Sequence, residues 1–152
     1  MSLELLRTDS NHQGFQTLVV LLDRELKERD GDDHAFFAQF NKIDHIHHVV
    51  VAMEEGNHVG CGAIKAWAED AMEVKRMYVP LDRRGQGIAG KVLAELEQWA
   101  AELGYKACVL ETGIKQPEAI RVYEKAGYSR IPNYGQYIGV ATSVCMRKEL
   151  AP

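Results

Sequence analysis

Residues 72–89 read Met72-Glu73-Val74-Lys75-Arg76-Met77-Tyr78-Val79-Pro80-Leu81-Asp82-Arg83-Arg84-Gly85-Gln86-Gly87-Ile88-Ala89. The stretch 72–79 has strand character, a short link follows from Pro80, and the glycines open a long amphipathic helix. Glycines let backbone N–H groups converge on an oxyanion without side-chain obstruction, and the helix adds the positive end of its dipole. Arg83 and Arg84 stand at the mouth. The stretch therefore reads as a pyrophosphate cradle, and the question is which phosphorylated molecule it holds.

Three motifs overlap here. Gly85-x-Gly87-x-x-Gly90 matches the dinucleotide fingerprint, and Gly85-x-x-x-x-Gly90-Lys91 matches most of a P-loop. The P-loop reading fails at Val92, where a Ser or Thr oxygen should meet Mg²⁺. The dinucleotide reading gains from Glu111, an acid at the end of the apolar run 107–110. Against it, the strand before the glycines carries Glu73, Lys75 and Arg76, and too little chain follows Glu111 for the second half of that fold. The third motif is Arg84-x-x-Gly87-x-Ala89. With the strand Glu73–Val79 before it, this resembles the central strand and acetyl-CoA loop of the GCN5-related N-acetyltransferases (GNAT). Further on, residues 116–128, Gln-Pro-Glu-Ala-Ile-Arg-Val-Tyr-Glu-Lys-Ala-Gly-Tyr, are similar to that family's second motif, a tyrosine-bearing helix closed by Gly-Tyr or Gly-Phe. The resemblance covers roughly residues 45 to 150, with both motifs in the family's order. One departure is Gln116, where many members have Asn.

The remaining pattern is compatible with one domain. The chain has 152 residues, 46% hydrophobic and 26% charged, as expected of an ordinary globular protein. A net charge of −4 speaks against a nucleic-acid partner. No run reaches membrane-spanning length or has signal-peptide character, so no membrane partner and a cytoplasmic location are expected. Cys61, Cys108 and Cys145 lie apart in apolar or small-residue runs and read as buried free thiols of a reducing compartment.

Strands are expected at 3–7, 47–53, 58–67, 72–79, 106–112 and 143–148, and helices at 11–29, 35–41, 86–103 and 117–126. In helix 86–103, Ile88, Val92, Leu96, Ala100 and Leu103 form one apolar stripe. Gly104 closes that helix, and Pro117 and Gly127 bracket the next. The order of elements gives an α/β (α+β) fold. Its GNAT-like sheet is mixed and mostly antiparallel, with a central parallel βαβ unit and helices on both faces. Residues 1–152 read as a single N-acetyltransferase domain.

The resemblance implies acetyl transfer from acetyl-CoA, a cosubstrate, to a primary amine, directly within a ternary complex. An ammonium must first lose a proton, the thioester oxygen gains charge, and the thiolate leaves more easily when protonated. By resemblance, Met77 supplies a backbone N–H donor and Val79 pairs with the pantetheine arm, with Tyr78 between them. Arg84, Gly85, Gln86, Gly87, Ile88 and Ala89 then hold the pyrophosphate, and Gln116 completes the cofactor set. Tyr123 is the implied acid, against a plain packing role. Glu73 is the candidate base through a water, against a structural ion pair with Lys75, Arg76 or a neighbouring strand.

The cluster His45, His47, His48 could line an acceptor site or, with Asp44 or His34, hold a metal, but reads best as a strand start; no metal is expected. Asp30, Asp32 and Asp33 form an acidic turn whose bland reading is a solvated loop. In this fold it would border the acceptor pocket and favour a cationic amine. The acceptor is expected to be a small-molecule or peptide amine, and a homodimer is compatible with the pattern. Two other function classes remain open. One is an acetyl-CoA-binding sensor or subunit without turnover, and the other is a nucleotide-dependent (NAD or ATP) enzyme using the overlapping glycines.

Overall fold

A computed structural model of the chain describes residues 3–30 and 45–151. Its strands are β1 (Leu3–Thr8), β2 (His48–Glu54), β3 (Asn57–Ala68), β4 (Ala71–Tyr78), β5 (Ala107–Gly113), β6 (Ser129–Ile131) and β7 (Ser143–Glu149). They form one sheet in the order β1-β2-β3-β4-β5-β7-β6. Only β4 and β5 pair in parallel among the described residues; every other neighbour is antiparallel. The helices are α1 (Gln13–Asp30), α2 (Ile88–Glu102) and α3 (Pro117–Lys125). The expected helix 35–41, Asp32, Asp33, His34 and Asp44 lie outside the described residues, as does the side chain of Asp30.

The sheet is covered on both faces, so β2 reads as a continuous apolar run instead of an alternating one. Val49 and Val51 pack under α1 with Phe15, Leu18 and Val19. Val50 and Ala52 face the other way, into the core built by Val92, Leu93, Leu96 and Ala100 of α2. Ile120 and Tyr123 of α3 join that second core. Each fully buried aliphatic side chain contributes about 1.5–3 kcal/mol of transfer free energy.

Two glycines of β3 set how closely α2 approaches. A Cβ at Gly60 would meet Ile88 Cγ2 at 2.8 Å, and one at Gly62 would overlap the Met77 sulfur and sit 2.9 Å from Leu96. Bare backbone there seats the first turn of α2 and the end of β4 against the sheet.

Beyond shifts of one or two residues at other element ends, the sequence pattern and the structure differ at three places. The helix expected from residue 86 begins at Ile88, because Gly87 takes a left-handed conformation with φ +80° and caps it. Leu103, placed in the apolar stripe, lies past the helix end and is 44% exposed. Strand β6 was not expected; it is three residues long and pairs only with β7, too short for periodicity to register.

Candidate active site

β4 and β5 pair only over Ala71–Glu73 and Ala107–Val109. Beyond that point β4 keeps pairing with β3 as far as Tyr78, and β5 keeps pairing with β7 as far as Gly113. The sheet therefore forks at its centre. A bulge drives the fork: Cys61 pairs with Tyr78 but Ala63 with Lys75, so β4 carries an extra residue. Arg76 absorbs it at φ +59°, an unusual conformation for a residue with a Cβ.

A cleft opens in the fork. Glu73–Met77 line one side, Glu111–Gly113 the other, Gln116, Ala119 and Tyr123 close one end, and Leu22, Leu26 and Tyr137 complete it. Of the expected catalytic and cofactor residues, Glu73, Met77, Gln116 and Tyr123 meet here.

Glu73 sits at the crotch of the fork and is 5% exposed. Two polar partners reach it there. Tyr134 donates its hydroxyl to Oε2 at 2.5 Å, and Lys75 Nζ lies 3.3 Å from Oε1. The ion pair with Lys75, weighed as a structural role, is thus present, and Glu73 lines the cleft as well. Burial, reinforced by the nearby Glu73 carboxylate, pushes the Tyr134 phenol well above the usual tyrosine range, so it stays a donor.

Tyr123 projects from α3 and is 8% exposed. Burial, then the negative charge of Glu111, raises its phenol above the ordinary value. It therefore remains protonated throughout the neutral range, the state a proton donor needs. Gln116 is the residue before α3 and its N–H donates to Gly113 O at 2.9 Å.

The remaining cofactor candidates stand at the outer end of β4. Gly85 and Gly87 hold φ of +84° and +80°, and a Cβ on either would meet open space. Backbone conformation, not crowding, asks for glycine there. Among the described residues no side chain caps α2, so its first N–H groups face the loop. Gln86 is exposed, whereas Ile88 is buried in the core and offers only its backbone. Ala89 and Val79 also pack against that core. The loop, the uncapped helix start and the unpaired flank of β4 suit a diphosphate with an extended amide-bearing arm.

The Arg84 side chain also has partners within the protein. Its Nε donates to Val79 O at 2.8 Å, and Nη2 lies 2.9 Å from both Glu25 oxygens, with its guanidinium 5.6 Å from the Tyr78 ring centre. Arg83 pairs with Glu54 at 2.8 Å. These contacts fasten the glycine loop to α1 and β2 and shape the cradle from behind.

The histidines stack on one another. His45 and His47 lie edge-to-face with ring centres 4.4 Å apart, and His48 meets Trp99 at 4.8 Å. Among the described residues no group of three potential metal ligands converges. Cys61, Cys108 and Cys145 are free and buried. Burial pushes the Cys61 and Cys108 thiols up to about 12.

Tyr134 and Tyr137 are site residues that sequence reasoning missed. The available signal was an aromatic pair after Pro132-Asn133, between two strands. Asn133 fixes that loop by donating to the carbonyls of Tyr137, Val140 and Ser143.

Comparison with known proteins agrees with this geometry. The family model described as the acetyltransferase (GNAT) family matches residues 15–128. The chain is similar to an IAA acetyltransferase of Azospirillum brasilense, 38% identical over 102 residues, covering 66% of this chain and 67% of that protein. A Klebsiella pneumoniae crystal structure described as an acyl-CoA N-acyltransferase superposes with a TM-score of 0.81 at 29% identity, over 98% of each chain. A GNAT acetyltransferase from Elizabethkingia anophelis, solved with acetyl-CoA bound, shares the fold at a TM-score of 0.70 and 17% identity, over 97% of this chain and 98% of that one. The chain belongs to the acetyltransferase (GNAT) family and is an acyltransferase.

Proposed function

We propose that the forked cleft transfers an acetyl group from acetyl-CoA to a primary amine, directly, within a ternary complex. The observation that carries this reading is the meeting of Glu73 and Tyr123 in one cleft, at the crotch and end wall of the fork. Acetyl-CoA supplies the activated acyl group. The backbone of Gly85–Ala89 holds its pyrophosphate, and the unpaired flank of β4 through Met77 and Val79 takes the pantetheine amides as a neighbouring strand would. Gln116 closes the same channel at the start of α3.

The amine nitrogen attacks the thioester carbonyl carbon, and the C–S bond breaks. The proton displaced from nitrogen passes to Glu73, through a water. The backbone N–H of Met77 faces the oxygen on which charge grows. Tyr123 gives its proton to the departing thiolate and recovers one from solvent. Lys75 and Tyr134 keep the Glu73 carboxylate fixed in the crotch. The three buried free cysteines fit a reducing, cytoplasmic setting and take no part in transfer.

Initial rates with both substrates varied test the reading. Intersecting lines, with thiol release dependent on an amine, support direct transfer; parallel lines contradict it. Thermal shifts with acetyl-CoA, NAD and ATP in parallel identify the ligand, since only a molecule that binds the native state raises the midpoint. A shift with acetyl-CoA and no release over any amine panel would make the protein a binding subunit.

A further inference from the structure

We infer that the acceptor carries a carboxylate beside its amine, and that Arg76 recognises it. The inference rests on the acetyltransferase reading above and names the substrate class of that same cleft.

Alternation along β4 would send Lys75 and Arg76 to opposite faces. The bulge prevents this. Lys75 pairs with Ala63, which packs under α1, and Arg76 reaches Asp23 on α1. Both cations therefore stand on the α1 face and both line the cleft. Arg76 is 6% exposed. Nη1 lies 2.9 Å from Asp23 Oδ1, while Nε and Nη2 are buried with no hydrogen-bond partner among the described residues. A guanidinium offers five donors in a planar fork, and leaving buried ones unmet is costly. The left-handed backbone at Arg76 adds strain of a kind that gathers at ligand clamps.

The unmet edge, Nε with Nη2, has the geometry that grips a carboxylate through both oxygens. Asp23 engages Nη1 through one oxygen, so an incoming carboxylate takes the Nε–Nη2 edge and leaves that pair in place. Glu73 already has Tyr134 and Lys75 as partners, and Glu111 accepts from Ser143 at 2.7 Å. The cleft thus presents an occupied acid set and a guanidinium with donors to spare. An amine with its own negative charge fits this balance. A polyamine or other polycation would meet Lys75 and Arg76 with like charge. The carboxylate forms no covalent bond in the reaction; it orients the amine toward the crotch.

The test is a set of matched acceptors with the intact protein at saturating acetyl-CoA. Free amino acids of apolar, acidic and basic side chain are each compared with their carboxamide and their decarboxylated amine, by thiol release. The expected result is a kcat/KM for the best free acid roughly 10- to 100-fold above both analogues, the worth of one charge-assisted bidentate pair. Arg76→Gln should erase most of that gap, mainly through KM for the acid. Equal or better turnover of carboxamides or plain amines overturns the inference and leaves the acetyltransferase reading standing. An undiminished gap in folded Arg76→Gln overturns the assignment to Arg76. Should that variant not fold, the comparison on the parent protein decides alone. Acetyl-CoA binding without turnover of any acceptor removes both this inference and the reading beneath it.

Discussion

Tyr134 donates its hydroxyl to Glu73 at 2.5 Å, joining the loop before β7 to the last residue of β4 that pairs with β5. The bond makes the placement of the candidate base depend on a residue far away in sequence. Tyr134 is itself held by ring contacts with Trp67 at 4.7 Å and Tyr137 at 5.9 Å between centres. It acts through Glu73, as a positioning residue. Glu73→Gln should lower turnover about 10²- to 10⁴-fold. Tyr134→Phe should lower turnover less, and the double variant should be no slower than Glu73→Gln alone. Multiplicative losses in that cycle would show that the two residues act independently.

Tyr123→Phe keeps the ring in the core and removes the proton. Turnover should fall roughly 10- to 1000-fold with acetyl-CoA affinity nearly unchanged. The sign of the pH dependence follows from burial. The phenol is raised above its ordinary value, so its donor form persists past the usual tyrosine range. No decline in kcat below about pH 10 should be assignable to Tyr123. A basic limb in that range which disappears in Tyr123→Phe contradicts this.

The cysteines should remain unacylated. Thiols at about 12 hold almost no thiolate at neutral pH, and burial blocks their approach to a thioester. Intact mass after incubation with acetyl-CoA alone should match the unmodified chain. A stoichiometric acetyl adduct on Cys61, Cys108 or Cys145 would replace direct transfer with a two-step path.

Gly87→Val separates the loop's two demands. The left-handed conformation at φ +80° resists a β-branched residue, at a cost of roughly 1–3 kcal/mol. Apart from its chain neighbours, no atom of the described residues lies within 4 Å of the added Cβ, so the fold should persist with a lower Tm. The new side chain occupies the space the phosphates need. Calorimetric titration should show acetyl-CoA affinity reduced at least about tenfold, or 1.4 kcal/mol. Parental affinity would put the diphosphate elsewhere.

Much of this architecture is legible in the sequence, for physical reasons that also mark where legibility ends. The long periodic stripe of α2 and the glycines before it are local signals, and both elements lie where pattern and turn chemistry put them. The helix start shifts from residue 86 to Ile88 because a glycine can end a loop in a left-handed conformation as readily as it can begin a helix. The bulge at the fork is hidden, since Arg76 is not a residue type that advertises positive φ. In retrospect the adjacent Lys75-Arg76 pair breaks the alternation of β4. The contact of the Arg84 guanidinium with Glu25 is one that no local pattern reveals. Tyr134 is invisible for the same reason: its value lies in a contact with Glu73 made only on folding.

The measurement that bears most directly on the forked cleft as an acetyl-transfer site is a crystal structure of the protein with acetyl-CoA. The predicted result has the pyrophosphate over the backbone of Gly85–Ala89, the pantetheine arm along the unpaired flank of β4, and the thioester between Glu73 and Tyr123. A pyrophosphate bound away from the Gly85–Ala89 loop, or a thioester outside the fork of β4 and β5, would contradict it.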